Sequence, residues 1–210
     1  MLQIRPVWTY ILVLKTMKTT IWTYPWDALA AGPETTAREI AETGLGAISL
    51  AATYHSFDQL RPHGHGNTLL TVDQSAAYSP FSPEAFRGGP TPAPSPLLTG
   101  ADWANCAVAA KEAGLDVIAW TIFLHNSYLA STHPELAQIT CSGDTLRHQL
   151  CPAQPRVREF ACTLAADICR LDEVDVLECE SISYGGFGHA HFHPKVGVEL
   201  GLGGRYLFSL

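Results

Sequence analysis

Short apolar runs that alternate with amphipathic helical patterns are the feature that most constrains the fold of this chain. Apolar runs typical of β-strands lie at 19–24, 47–52, 116–123 and from 174 onward. Helical spacing of apolar residues occurs between them at 35–43, at 102–113 and after Pro155, where apolar side chains recur at three- and four-residue steps. Strands that are apolar on both faces and alternate with helices predict a parallel sheet. The fold class is therefore α/β, built from parallel (β/α) units.

Two architectures satisfy this alternation, a doubly wound open sheet and a (β/α)8 barrel. No G-x-G-x-x-G follows the first strand, so the dinucleotide-binding form of the open sheet has no support. The long polar and proline-rich segment at 56–100 is predicted to be a loop, and loops of that length in compact domains are usually functional or mobile. A second loop, which contains HNSYLASTHPE, is predicted after the third strand.

Composition restricts the partners of the protein. The chain has 210 residues, of which 47% are hydrophobic and 16% charged, as expected for one globular domain with a sizeable core. A net charge of -7 leaves no basic surface for nucleic acid or an anionic membrane. The N-terminal apolar run of about nine residues is too short to cross a bilayer. We therefore expect no nucleic acid and no membrane partner, and a neutral or cationic ligand.

Cysteine usage indicates the compartment. The six cysteines include no C-x-x-C pair, and several fall inside predicted helices or strands. Such residues are typical of reduced thiols in a cytosolic protein rather than of a disulfide framework. We therefore expect a cytoplasmic location.

Two carboxylates end the last predicted strand, in the sequence VDVLECESISY at 174–184, and we expect this strand to be buried. Alternate residues of a strand share a face, so Glu178 and Glu180 point the same way. Acids at the carboxyl ends of parallel strands are candidates for catalysis, because active sites lie at that edge. The alternatives are a solvated strand end and structural carboxylates that accept hydrogen bonds from loop N–H groups. We predict that Glu180 and Glu178 are catalytic.

Other polar and aromatic side chains follow the same strand ends and are candidates for substrate binding. They are Tyr54, His55, Trp120, His125, Asn126 and Tyr184. Such groups can line a pocket that binds sugar hydroxyls, and Trp22, Trp26 and Trp120 can stack on sugar rings. The alternatives are that the aromatic residues belong to the core and that His125 caps its loop.

A histidine run follows the acidic strand. His189, His191 and His193 alternate in HAHFH, and in an extended segment they would share one side. With Glu178 or Glu180 they could bind zinc or manganese, which would make the protein a metal-dependent sugar isomerase or hydrolase. Our first expectation is that there is no metal or other cofactor, with this site as the alternative.

The stretch from Trp120 through HNSYLASTHPEL to LCPAQPRVREFACTLAADICRLDEVDVLECESISY resembles the central part of hypothetical glycoside hydrolases, barrel proteins distantly related to the α-amylase superfamily. The resemblance covers 19–197 and is most specific at 151–180. It implies a (β/α)8 barrel that acts on a carbohydrate, with the catalytic acid of the fourth strand at Glu180. The family commonly has Asp at that position and Arg two residues before it, where this chain has Glu178.

On this resemblance the chain corresponds to the first half of a barrel, with about four strands. We expect residues 1–18 to be an N-terminal extension outside the fold and 19–210 to be a partial barrel truncated at its C-terminus. Unpaired strands at the edges of a half barrel favour a homo-oligomer. The predicted function is glycoside hydrolysis by catalytic carboxylates. An inactive fragment of such a hydrolase is one alternative, and a non-catalytic carbohydrate-binding protein is another.

Overall fold

A computed structural model describes residues 18–61 and 68–185, together with the backbone of 193–196. The strands are β1 (Thr20–Thr23), β2 (Ala47–Tyr54), β3 (Phe57–Leu60), β4 (Leu69–Val72), β5 (Ala76–Ala77), β6 (Asp116–Ile122), β7 (Ala137–Ile139), β8 (Thr145–Leu150), β9 (Val176–Glu180) and β10 (His193–Val196). The helices are α1 (Pro25–Ala31), α2 (Pro33–Glu42), α3 (Gly100–Glu112), α4 (Ser127–Thr132) and α5 (Pro155–Ile168), and 3₁₀ turns occupy Pro83–Phe86 and Pro134–Leu136.

The main sheet has the strand order β1-β2-β6-β9, and all neighbours on this path are parallel. The strands therefore follow one another across the sheet in chain order, with helices in the connections. Doubly wound sheets instead reverse direction at a switch point, whereas barrels add each strand next to the previous one. The predicted α/β fold of parallel (β/α) units is confirmed.

The long helices begin and end where local chemistry predicts. Thr99 caps α3 through a capping box with Asp102, in which each side chain accepts a hydrogen bond from the other residue's backbone N–H. Those bonds from Thr99 hold the pKa of the Asp102 carboxyl below its usual range. Helix α5 begins at Pro155, whose fixed φ suits the first helical turn, and buries Phe160 and Leu164.

The core lies between the sheet and these helices. Ile48 and Leu50 of β2 and Val117 of β6 are at most 2% exposed and belong to one apolar cluster with the buried residues of α3 and α5. At its centre Trp103 is fully buried, and its indole N–H donates to the carbonyl of Ala51 at 3.0 Å. That hydrogen bond satisfies a polar group that would otherwise be costly to bury.

The segment at 56–100, predicted as a loop, contains regular structure. Strands β3 and β4 form an antiparallel pair, β10 adds to β3 in parallel, and β5 pairs with the end of β2. The backbone N–H groups of Tyr78 and Ser79 donate to the carbonyl of Ala52. The loop prediction was wrong because these strands are only two to four residues long and depend on their pairing partners, such as β10 for β3 and the end of β2 for β5.

The loop predicted after β6 also contains structure. Helix α4 occupies part of it, and β7 and β8 form an antiparallel hairpin before α5. The backbone N–H of Asn126 donates to the backbone carbonyl of His148 at 2.8 Å. The hairpin is therefore attached to the carboxyl end of β6.

The last predicted strand was expected to be buried, and this expectation was wrong. Strand β9 pairs with β6 and, within the described ranges, with no strand on its other side. Val176 is consequently 47% exposed. The predicted N-terminal extension at 1–18 lies outside the described residues except for Lys18, whose ammonium group pairs with Asp116. In the part of the chain that the structure describes, no helix is long and apolar enough to cross a membrane.

Candidate functional site

The strand register places the predicted acids on one face of the sheet. Trp22 pairs with Ser49, and Trp120 pairs with Glu178. Alternation along each strand puts Glu180 on the same side as Glu178. We call this side, defined by Trp22, Ser49, Trp120, Glu178 and Glu180, the carboxylate face.

Glu178 joins three strands of this face. Its Oε1 accepts from the indole Nε1 of Trp22 at 3.0 Å, and its Oε2 accepts from the hydroxyl of Ser49 at 2.5 Å. Trp22 and Glu178 lie on the first and fourth strands, which in a flat sheet would be about 14 Å apart. The contact forms because the sheet curls toward the carboxylate face, as strands do when they line a barrel.

Glu180 lies at the carboxyl end of β9 and is exposed. Its Oε2 accepts from the indole Nε1 of Trp120 at 2.6 Å. The next residue, Ser181, has a φ of 55°, a left-handed conformation that costs energy for a residue other than glycine. The amides of Phe123 and Leu124 donate to the carbonyls of Glu180 and Ser181, each at 3.0 Å. The backbone at Glu180 is therefore held by β6 while its side chain meets solvent.

Aromatic rings surround the two acids. The ring of Trp120 lies 4.7 Å from that of Tyr54, 5.6 Å from that of Tyr24 and 5.8 Å from that of Trp22, between centroids. Burial raises the pKa of the Tyr24 hydroxyl far above its usual value, and the neighbouring Tyr54 and Glu180 raise it further. Tyr24 therefore stays protonated at neutral pH and can act as a hydrogen-bonding group next to the acids.

Two of the predicted substrate-binding histidines lie together beside this cluster. The rings of His55 and His125 stack with centroids 4.4 Å apart and planes 10° apart, and His55 also stacks on Tyr54 at 4.4 Å. The ring of His148, from β8, lies 5.4 Å from His125. The Nδ1 of His55 lies 2.7 Å from the backbone carbonyl oxygen of Ser56. Because a carbonyl oxygen can only accept a hydrogen bond, Nδ1 carries the proton. Both His55 and His125 are at most 4% exposed.

The remaining predicted residues separate into two roles. Asn126 caps α4, since its Oδ1 accepts from the amide of Leu129 at 2.9 Å. Asn126, the residue after His125, therefore supplies the N-cap of α4, and the alternative that His125 caps its loop stays a prediction. Tyr184 is 60% exposed beyond the end of β9. Its part in substrate binding stays a prediction.

The metal alternative falls largely on residues that are not described. His189 and His191 lie outside the described residues, and of His193 only the backbone, in β10, is described. Within 18–61 and 68–185, no three His, Cys, Asp or Glu side chains are grouped so that they could bind a metal ion. The histidine-run site stays a prediction.

Sequence reasoning missed Ser49, Tyr24 and His148 as members of this site. The signal for Ser49 was a hydroxyl in the apolar run AISLAA, at a position that alternates with Ala47 and Ala51. Tyr24 directly follows the first strand, as Tyr54 ends the second. His148 carried no such signal, because its approach depends on the β7–β8 hairpin.

The fold is similar to parts of two solved α-amylase structures. One is a noncanonic maltogenic α-amylase from Thermotoga neapolitana, with a TM-score of 0.48, 14% identity, and coverage of 77% of this chain and 38% of that one. The other is an α-amylase from Lactobacillus plantarum, with a TM-score of 0.47, 18% identity, and coverage of 78% and 38%. This chain thus spans less than half the length of either. No family model and no curated protein matches the sequence.

Proposed function

We propose that the protein is a glycoside hydrolase whose catalytic carboxylate is Glu180. The observation that carries the proposal is the position of Glu180, which is exposed at the carboxyl end of a parallel strand and bonded through one oxygen to Trp120. Carboxylates perform acid, base or nucleophilic work on glycosidic bonds, and aromatic rings bind the apolar faces of sugars. The consecutive parallel strands support a parent fold of the (β/α)8 type, of which this chain supplies about half.

The hydrogen bond from Trp120 orients the Glu180 carboxylate. With Oε2 occupied, Oε1 is the oxygen available to approach an anomeric carbon or to take a proton from water. Glu178 lies two residues earlier on the same face, and its Cα is about 6–7 Å from that of Glu180. Glu178 is thus the nearby acid that would influence or assist Glu180.

The proposed binding surface lies beside these acids. His125 stacks on His55 and His55 stacks on Tyr54, whose ring meets that of Trp120 edge-on. Tyr54 ends β2, His55 follows it, and His125 follows β6. These four side chains are at most 7% exposed, so we propose that a sugar contacts only their edges. We assign them and the exposed Tyr184 to sugar binding, with Asn126 positioning the loop that carries His125.

The test is hydrolysis of a panel of aryl glycosides and reducing-end-labelled oligosaccharides by the wild type, Glu180→Gln and a matched control, Glu112→Gln. Gln keeps an acceptor for Trp120 but cannot act as base or nucleophile, so Glu180→Gln should lower kcat/KM at least about 1,000-fold. Glu112 is exposed at the end of α3, and its variant should behave as the wild type. Hydrolysis retained by Glu180→Gln would refute the assignment.

A non-catalytic carbohydrate-binding protein is the second candidate. It is favoured by Trp22, which is 65% exposed on the carboxylate face, as expected of a ring that contacts a ligand rather than the core. Saccharide binding without turnover in the wild type, unchanged in Glu180→Gln, would identify this function.

Location and assembly are part of the same proposal. All six cysteines are free thiols, which suits a reducing compartment such as the cytoplasm. Strands β1 and β9 each have one edge that is unpaired within the described part of the chain. Such edges pair readily with other strands, so we propose that assembly, including homo-oligomerisation, occurs through them.

A further inference from the structure

We propose that Glu178 is a positioning residue, which orients the Glu180 carboxylate through the indoles of Trp22 and Trp120 and takes no part in proton transfer. This role rests on the proposed function, because it concerns how the catalytic carboxylate of the same site is held. It is an alternative to the prediction that Glu178 is itself catalytic.

The carboxylate of Glu178 is directed at the protein. Its Oε1 accepts from the indole N–H of Trp22 and its Oε2 accepts from the hydroxyl of Ser49, so each oxygen has a protein donor. Glu178 is also only partly exposed, whereas Glu180 is exposed. A general acid or base needs to lie within hydrogen-bond reach of the proton that it transfers. The bonds of Glu178 suit it to holding neighbouring side chains rather than to that task.

The two donors connect Glu178 to distant strands. Trp22 lies on β1 and Ser49 on β2, where the two residues are paired in register. Glu178 lies on β9, and β6 separates β9 from both of these strands. One carboxylate therefore bridges over β6 and joins β1 and β2 to β9.

The orientation of Trp22 depends on Glu178. The side chain of Trp22 is 65% exposed, so packing restrains it weakly, and its bond to Glu178 at 3.0 Å fixes the direction of its N–H. Its ring lies 5.8 Å from that of Trp120, with the two planes tilted by 32°. Aromatic pairs at such distances attract each other. Holding Trp22 in place therefore restricts the movement of Trp120 on one side.

Trp120 passes this restraint to Glu180. Its Nε1 donates to the Oε2 of Glu180 at 2.6 Å, and the residue pairs with Glu178 in the register of β6 and β9. A continuous set of contacts therefore leads from Glu178 to Glu180 by way of the two indoles. Because a small misplacement of a catalytic group lowers the rate strongly, we expect loss of Glu178 to impair catalysis through Glu180.

Two variants of Glu178 separate positioning from catalysis. In Glu178→Gln the amide oxygen can accept from Trp22, and the amide nitrogen can donate to the hydroxyl of Ser49, which accepts as well as donates. This variant keeps both bonds but cannot transfer a proton. Glu178→Leu removes both bonds at a similar side-chain size. Glu112→Leu is the matched control, since Glu112 is exposed at the end of α3.

The first readout is hydrolysis of the glycosides in the panel. Glu178→Gln should lower kcat/KM at most about threefold. Glu178→Leu should lower it about 30- to 100-fold, mainly through kcat, because the reacting carboxylate is misplaced. Glu112→Leu should match the wild type. A catalytic Glu178 would instead make the Gln variant as damaging as the Leu variant.

The second readout is the set of tryptophan indole N–H signals in the ¹⁵N-labelled full chain, which does not depend on turnover. Glu178→Leu should shift the signals of Trp22 and Trp120, because Trp22 loses its acceptor and Trp120 loses a restraint, and should leave that of Trp103 in place. Glu178→Gln should leave the Trp120 signal near its wild-type position. Trp22→Phe keeps an aromatic ring but removes the N–H, and it should also shift Trp120. It tests the same route if Glu178→Leu folds poorly.

The outcomes separate this role from the proposed function. An unmoved Trp120 signal in folded Glu178→Leu or Trp22→Phe, or equal losses of activity in Glu178→Gln and Glu178→Leu, would overturn the positioning role alone. Absence of hydrolysis by the wild type across the panel would overturn the proposed function. The indole signals would then still decide whether Glu178 holds the two indoles.

Discussion

Tryptophans on the two sides of the sheet show how differently the two sides are used. On the helix side, Trp103 is fully buried and donates to the backbone carbonyl of Ala51. On the carboxylate face, Trp22 and Trp120 donate to the side chains of Glu178 and Glu180. A backbone acceptor in the core fixes the fold, whereas carboxylate acceptors near solvent orient groups that a ligand can reach. The same residue type therefore stabilises one side and, under the proposed function, orients the carboxylates of the other.

The largest expected effect comes from truncating these tryptophans in turn. Trp103→Ala removes a fully buried ring and should lower the free energy of unfolding by about 3–5 kcal/mol. Trp22→Ala removes a ring that is 65% exposed and should cost about 1 kcal/mol or less. Urea unfolding followed by circular dichroism measures both. Equal losses would show that the carboxylate face is as structural as the helix side.

A smaller effect is expected from two tyrosines near the boundary between the sides. The hydroxyl of Tyr54 is hydrogen-bonded to that of Tyr24, so Tyr54→Phe should cost about 1 kcal/mol. The hydroxyl of Tyr78 is buried and has no hydrogen-bond partner among the described residues. Tyr78→Phe should therefore leave stability unchanged or raise it by up to about 1 kcal/mol. The urea midpoints of the two variants measure this difference. A loss of stability in Tyr78→Phe as large as that in Tyr54→Phe would contradict the prediction.

The smallest effect concerns pH and the amino end of the sheet. Burial would raise the pKa of the Asp175 carboxyl, but hydrogen bonds from Lys111 and from the amide of Val117 outweigh it, and the pKa is lowered. A lowered folded-state pKa contributes stability above the unfolded value, and this stability is lost as pH falls through the folded value.

Asp175→Asn should accordingly lower stability at pH 7 by about 0.5–1 kcal/mol, a modest figure because solvent screens the pair. The difference from the wild type should narrow below about pH 4. Urea midpoints at pH 7 and pH 3 provide the measurement. A difference in stability between wild type and Asp175→Asn that widens on acidification would contradict this prediction.

The apolar periodicity of the sequence predicted more of the structure on the helix side of the sheet than on the carboxylate face. The apolar spacing after Pro155 predicted α5, and the run at 116–123 predicted β6, because core packing repeats with the period of the element. The acids Glu178 and Glu180 were also predictable, since they end a strand. The contact between Trp22 and Glu178, residues 156 positions apart, was not, because it depends on the curl of the whole sheet.

The mispredicted regions share one physical cause. Strands β3, β4, β7 and β8 are short and contain polar residues, so their identity depends on pairing partners rather than on their own pattern. The exposure of β9 likewise depends on its neighbours, since its sequence alone is typical of a buried strand. The stacking of His55 on His125 follows from the alignment of β2 and β6 at their carboxyl ends.

The most direct test of the central claim, that the carboxylate face binds saccharide, is a titration that observes the tryptophan indole N–H signals in a ¹⁵N-labelled chain. Assignment by single Trp→Phe variants identifies the signals of Trp22, Trp120 and Trp103. We predict that saccharide shifts the signals of Trp22 and Trp120, whose N–H groups bind Glu178 and Glu180, and leaves that of Trp103 in place. Saturating saccharide that moves neither Trp22 nor Trp120 would contradict the account.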